Sequence, residues 1–101
     1  MIIEYIRYDL VAHQPEDLVT AYAAAADFLR ASTECLAFEL TQCEEAPHSF
    51  VLRIEWESTA AHLQGFRKGP NFPPFLAAIR PFVGEIAEMR HYARTPLVWS
   101  R

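Results

Sequence analysis

Ser49-Phe50-Val51-Leu52-Arg53-Ile54-Glu55-Trp56-Glu57-Ser58-Thr59-Ala60-Ala61-His62 changes its hydrophobic period partway along, and that change decides the fold. Phe50, Leu52, Ile54 and Trp56 alternate with Val51, Arg53 and Glu55, the two-residue period of a strand with one face in a core. Ser58 then supplies an N-cap, and a helix is expected from it through about Lys68, where Gly69-Pro70-Asn71 breaks it. The junction sets a large aromatic at the end of a strand and an imidazole in the first turns of a helix, where Trp56 and His62 can line one pocket. One titratable group beside a flat apolar wall suits an aromatic ligand.

Working back from this stretch, Leu36, Phe38 and Leu40 alternate with Ala37, Glu39 and Thr41, and Glu44 to Ser49 supply a turn, so the two strands make a hairpin. Ile2 to Tyr8 is β-branched and aromatic and reads as a first strand. Pro15-Glu16-Asp17 opens a helix, with proline where its missing N–H costs nothing and two acids at the positive end of the macrodipole. Leu18, Tyr22, Ala25 and Leu29 form its apolar stripe, Ala23 to Ala26 permit close approach to a sheet, and the helix ends near Ser32. Forward of His62, a further helical turn spans Pro73 to Arg80, Pro81-Phe82-Val83-Gly84 closes it, and Glu85 to Tyr92 make a last strand. Residues 93–101 are a tail carrying Leu97, Val98 and Trp99.

The order β-α-β-β-α-β predicts one α+β domain over residues 1–101, a ferredoxin-like antiparallel sheet with both helices on one face. The opposite face of the hairpin carries Glu39, Thr41, Arg53 and Glu55 with Ala37 and Val51, neither plainly wet nor plainly apolar, and is expected to be a subunit interface.

At 101 residues and 51% hydrophobic the chain suffices for one small core. A net charge of −4, with nine Lys and Arg that never cluster, argues against nucleic acid as a partner. No apolar run reaches the roughly 18 to 20 residues of a membrane span, and Met1-Ile2-Ile3-Glu4 lacks the start of a signal peptide, so a cytoplasmic protein is expected. Cys35 and Cys43 fall at opposite ends of one strand, about 27 Å apart, too far for a disulfide. His13, His48, His62 and His91 lie apart with no metal-binding spacing, and Gly65, Gly69 and Gly84 make no phosphate loop, so neither metal nor nucleotide cofactor is expected.

From the first strand through Cys35-Leu36-Ala37-Phe38-Glu39-Leu40 and Trp56-Glu57-Ser58 to His62, Phe66, Phe72, Phe75 and His91-Tyr92, the chain resembles the antibiotic biosynthesis monooxygenase family of dimeric α+β barrels. The resemblance implies a homodimer whose two sheets form a barrel, with a cavity in each subunit between sheet and helices. It also implies a small-molecule substrate and, as in members that convert polycyclic phenols to quinones, molecular oxygen used without metal, flavin or haem.

Trp56 matches the tryptophan that lines the cavity of the quinone-forming enzymes, and His62 falls where those have tyrosine and many other members histidine. Leu52 stands where they use an asparagine to hydrogen-bond the substrate oxygen, a task leucine cannot perform. The haem-degrading branch would place its tryptophan and its iron-ligating histidine at Phe66 and Leu76, which disfavours haem. The Trp-Glu-Ser…His…Gly-Phe-Arg stretch also resembles domains found beside truncated haemoglobins, which implies such a globin as a partner.

His62 is therefore the expected catalytic base, since imidazole titrates near neutral pH, with His91 ranked below it. Trp56, Tyr22, Leu52, Phe66, Phe72 and Phe75 are the expected substrate-binding residues. The leading expectation is a cofactor-independent monooxygenase acting on a small apolar, aromatic or enolisable substrate. Two others stand beside it: a non-catalytic dimeric ligand-binding or accessory domain, favoured by Leu52, and a small-carbonyl isomerase using His62 for proton transfer.

Overall fold

In the computed structural model, which describes residues 1–101, the elements run β1 (Ile2–Asp9), α1 (Pro15–Ala31), β2 (Cys35–Gln42), β3 (Ser49–Trp56), a π-helical turn (Ala61–Phe66), α2 (Phe72–Ile79), a 3-10 turn (Arg80–Glu85) and β4 (Ile86–Ala93). The strands form one antiparallel sheet in the order β2-β3-β1-β4, so β1 and β3 hold the centre. This is the split β-α-β arrangement that the sequence predicts. No helix is long and apolar enough to cross a membrane.

Side-chain alternation on the central strands builds the core. Ile6 and Tyr8 on β1 and Phe50, Leu52, Ile54 and Trp56 on β3 all turn toward the helices, where Leu18, Tyr22, Ala25 and Leu29 of α1 and Phe75 and Ile79 of α2 meet them. The α1 stripe is thus buried as its period requires. Pro15 occupies the first turn, and Asp17 accepts a hydrogen bond from the Gln14 N–H, one of the donors that a helix start leaves free.

On β2 the expected alternation breaks at Leu36. Cys35 pairs with Trp56 and Ala37 with Glu55, so Leu36 is the extra residue of a bulge. It is exposed, while Cys35, Phe38 and Leu40 pack against the core. Both cysteines are free thiols, and burial pushes the Cys35 thiol up to about 11, which leaves little thiolate for chemistry. On the outer face of the sheet Arg53 and Glu55 pair at 2.7 Å, Arg94 reaches Glu55 at 3.5 Å, and Tyr5 meets Tyr92 edge to face.

The segment after β3 is less regular than a single helix. Ser58 caps it, its Oγ accepting from the Ala61 N–H at 3.0 Å, but the chain then widens into a π-turn whose last bond runs from the Arg67 N–H to the His62 carbonyl at 2.9 Å. Gly69 follows so tightly that a Cβ there would stand 2.7 Å from the Gly65 carbonyl, so the reversal into α2 requires glycine.

Candidate active site

Between the sheet and the second helical region lies a cavity of ≈ 230 Å³. Glu4, Ile6 and Tyr8 of β1 and Ile54 and Trp56 of β3 form its floor. His62, Phe66 and Arg67 come from the π-turn, Phe72, Phe75, Leu76 and Ile79 from α2, and Val83, Ile86 and Met89 close the far side. Its lining is predominantly apolar with a few convergent polar groups, the usual make-up of a small-molecule pocket.

Five of the residues expected at a site, Trp56, His62, Phe66, Phe72 and Phe75, therefore line one space. Tyr22 and Leu52 do not. Leu52 faces the helices, as its parity demands, but four residues at about 3.4 Å each carry it some 14 Å up the strand from Trp56 and under α1. There it shares a separate shallow groove with Tyr22, Val19, Phe38 and Leu40. The Tyr22 hydroxyl is spent on the Tyr8 hydroxyl at 2.5 Å, and burial pushes both phenols upward, Tyr8 to about 12.

The polar centre is a chain of three groups. His62 stacks on Trp56 with ring centroids 4.5 Å apart and planes within 12°. Its Nδ1 lies 2.7 Å from His91 Nε2, and its Nε2 lies 3.6 Å from Glu4 Oε1. The Trp56 indole N–H donates to that same Glu4 oxygen at 3.1 Å. Glu4 is only 2% exposed and His62 4%.

Glu4 was not expected here, and the approach of His91, ranked below His62, is not written in residue spacing. The histidines, expected to stay apart, meet because β1 and β4 pair with Glu4 opposite His91, while the π-turn lowers His62 onto both. A carboxylate within the alternating Ile2-Ile3-Glu4-Tyr5-Ile6 run would ordinarily face solvent; the signal that it does not is its shared parity with Ile6 and Tyr8.

Burial sets the protonation states. It lowers His62 to about 4, with the Arg67 and His91 charges adding to the effect, and it lowers His91 with help from Arg67. Both rings are therefore neutral at pH 7. Glu4 is raised by the same burial, opposed by the Trp56 hydrogen bond and by Arg67.

Glu4, His62 and His91 bring one donor atom each within 4.8 Å of one another, the nearest approach in the chain to a metal-binding trio. His62, however, turns opposite ring nitrogens to its two neighbours and so bridges them. With Nδ1–H donating to His91, Nε2 is left as an acceptor beside a carboxylate. That arrangement leaves a neutral ring nitrogen free to accept a proton, with the Glu4 carboxylate 3.6 Å away as the nearest countercharge.

Comparison with known proteins places this geometry among relatives. Residues 1–79 match the family model described as antibiotic biosynthesis monooxygenase. The Bacillus subtilis protein YczJ is 23% identical over 77 residues, 76% of this chain and 81% of its own length. A crystal structure from Bordetella bronchiseptica assigned to the same family superposes with a TM-score of 0.74 at 23% identity, covering 93% of this chain and 96% of that one. SnoaB, a cofactor-independent oxygenase from Streptomyces nogalater, superposes with a TM-score of 0.70 at 19% identity, covering 95% and 96%.

Proposed function

The chain belongs to the antibiotic biosynthesis monooxygenase family, and on that premise we propose that it is a cofactor-independent oxygenase acting on a small apolar, aromatic or enolisable compound, with His62 as its base. One observation carries the reading: a neutral, buried imidazole, flat against Trp56 and backed by Glu4 and His91, lines an otherwise apolar cavity. Similarity of fold to SnoaB agrees with it.

In this reaction a phenol or enol gives its proton to His62 Nε2, and Glu4 Oε1 offsets the new positive charge. The electron-rich anion then reduces oxygen. One oxygen atom enters the substrate, which loses two hydrogens overall, and the other leaves as water. The protein supplies a base, a cavity that excludes bulk water and orientation against the aromatic wall of Phe66, Phe72 and Phe75. We further propose that two subunits pair through the outer face of the sheet, where the Arg53, Glu55 and Arg94 charges already satisfy one another.

The test is oxygen uptake by the purified protein across a panel of phenols and hydroquinones. His62→Ala should slow turnover by about 10²- to 10⁴-fold, the usual weight of a general base. An unchanged rate removes His62 from the reaction. Proton migration in a small carbonyl compound without oxygen uptake would assign the same base to isomerisation.

A further inference from the structure

Arg67 is the one cation among the residues that line the cavity, and it has no anionic partner. Arg7, Arg30, Arg53, Arg90 and Arg94 each pair with a carboxylate. The Arg67 guanidinium instead meets only Met89 Sδ, at 3.9 Å, and the Phe72 ring, 6.0 Å from its centroid. It is exposed, at the mouth of an apolar hollow.

Its position follows from the backbone. In an α-helix, at 3.6 residues per turn, the fifth residue on points about 140° away from the first. Here the Arg67 N–H bonds to the His62 carbonyl, and the wider i to i+5 turn brings residue 67 back to the side of residue 62. The same turn that delivers the imidazole delivers the guanidinium. Its charge reaches all three groups of the polar centre, favouring ionised Glu4 and neutral His62 and His91.

The wall's other polar groups are neutral donors, or acceptors, already engaged with one another. The Trp56 N–H goes to Glu4, the Tyr8 and Tyr22 hydroxyls share one hydrogen bond, and the His62–His91 contact uses the proton between them. Arg67 is the wall's one cationic donor, a planar fork of N–H groups of which one meets Met89 Sδ and the rest suit an anionic oxygen.

We propose that Arg67 receives the oxyanion of the cavity's ligand, so that the pocket takes phenols and enols in their ionised form, the ring against Phe72 and Phe75 and the O⁻ at the mouth. This deepens the oxygenase reading and rests on it for the ligand class. In the step it serves, the O–H bond breaks, the proton passes to His62 Nε2, and the electron pair stays on oxygen beside the guanidinium.

The experiment uses 4-nitrophenol, whose phenolate absorbs in the visible, titrated with the intact protein. The bound phenol should ionise about one pH unit lower than the free compound, a tenfold preference for the anion, and 4-nitroanisole should bind at least about tenfold more weakly than the phenolate. Arg67→Met should abolish both effects and Arg67→Lys retain part of them; because the side chain is exposed, thermal melts of these variants should match the parent.

A shift that survives Arg67→Met, equal binding of phenolate and anisole, or no phenolate binding to the parent protein at millimolar concentration overturns the inference. Oxygen uptake is read separately: a phenolate preference that depends on Arg67 in a protein that turns nothing over would sink the oxygenase and leave the oxyanion site standing.

Discussion

One sheet carries two differently packed halves. Under α1 the layer is packed shut apart from the shallow groove at its edge: Leu18, Ala25, Leu29 and Leu52 have no accessible surface, and the Tyr22 hydroxyl is bonded to that of Tyr8 at the boundary with the cavity. Under the π-turn and α2 it is open, and a carboxylate, an imidazole and a guanidinium line the space, with His91 behind His62. The closed half has a continuous seventeen-residue helix with four alanines in a row that can lie flat on the strands. The open half has six residues of π-turn, a glycine-proline reversal and an eight-residue helix containing Pro73 and Pro74, which cannot follow the sheet closely enough to fill the space. Irregular helix therefore makes the cavity, and the same irregularity aims His62 and Arg67 into it.

The sharpest way to break this contrast is to empty the closed half. Leu29→Ala should cost about 2–5 kcal/mol in urea unfolding, because the fixed surroundings cannot collapse onto the void. A loss no larger than that of a cavity-wall residue would show the two halves to be packed alike.

Acid should strike the open half next. The folded value of His62, about 4, lies below its ordinary 6.5, so between these the unfolded chain binds the extra proton. Its contribution to stability is full above pH 6.5 and falls as the pH drops toward 4. In His62→Phe that part of the slope of unfolding free energy against pH should vanish, while Tyr22→Phe leaves it intact.

Tyr22→Phe itself should cost about 1–3 kcal/mol, since it strands the Tyr8 hydroxyl in the interior, and ligand affinity should stay unchanged. Smallest is Leu76→Ala, on the cavity wall, where about 1 kcal/mol is expected because part of its surface already faces empty space. It should enlarge the pocket and admit bulkier phenols, which a ligand series of increasing ring size would reveal.

Local pattern made much of this legible. The α1 stripe, the inward set on β3 and the order of elements follow from periods of 3.6 and 2, which are properties of neighbouring residues. Trp56, Phe66, Phe72 and Phe75 were grouped through the family resemblance, and they do line one cavity. Leu36 was misread because a bulge is an event of pairing, set by β3 as much as by β2. Tyr22 was placed at the site from the α1 stripe and Leu52 from the family resemblance, and neither tells how far a residue stands from the second helical region.

By itself, then, the sequence determined which residues turn inward and in what order helices and strands follow, because those depend on short-range sterics and burial. Only the tertiary structure decided that Glu4 and His91 stand opposite each other, that His62 bridges them and that Arg67 overlooks the cavity. Those contacts join positions from 29 to 87 residues apart, or depend on one widened helical turn, and strand register with helix pitch fixes them where composition and spacing leave no trace.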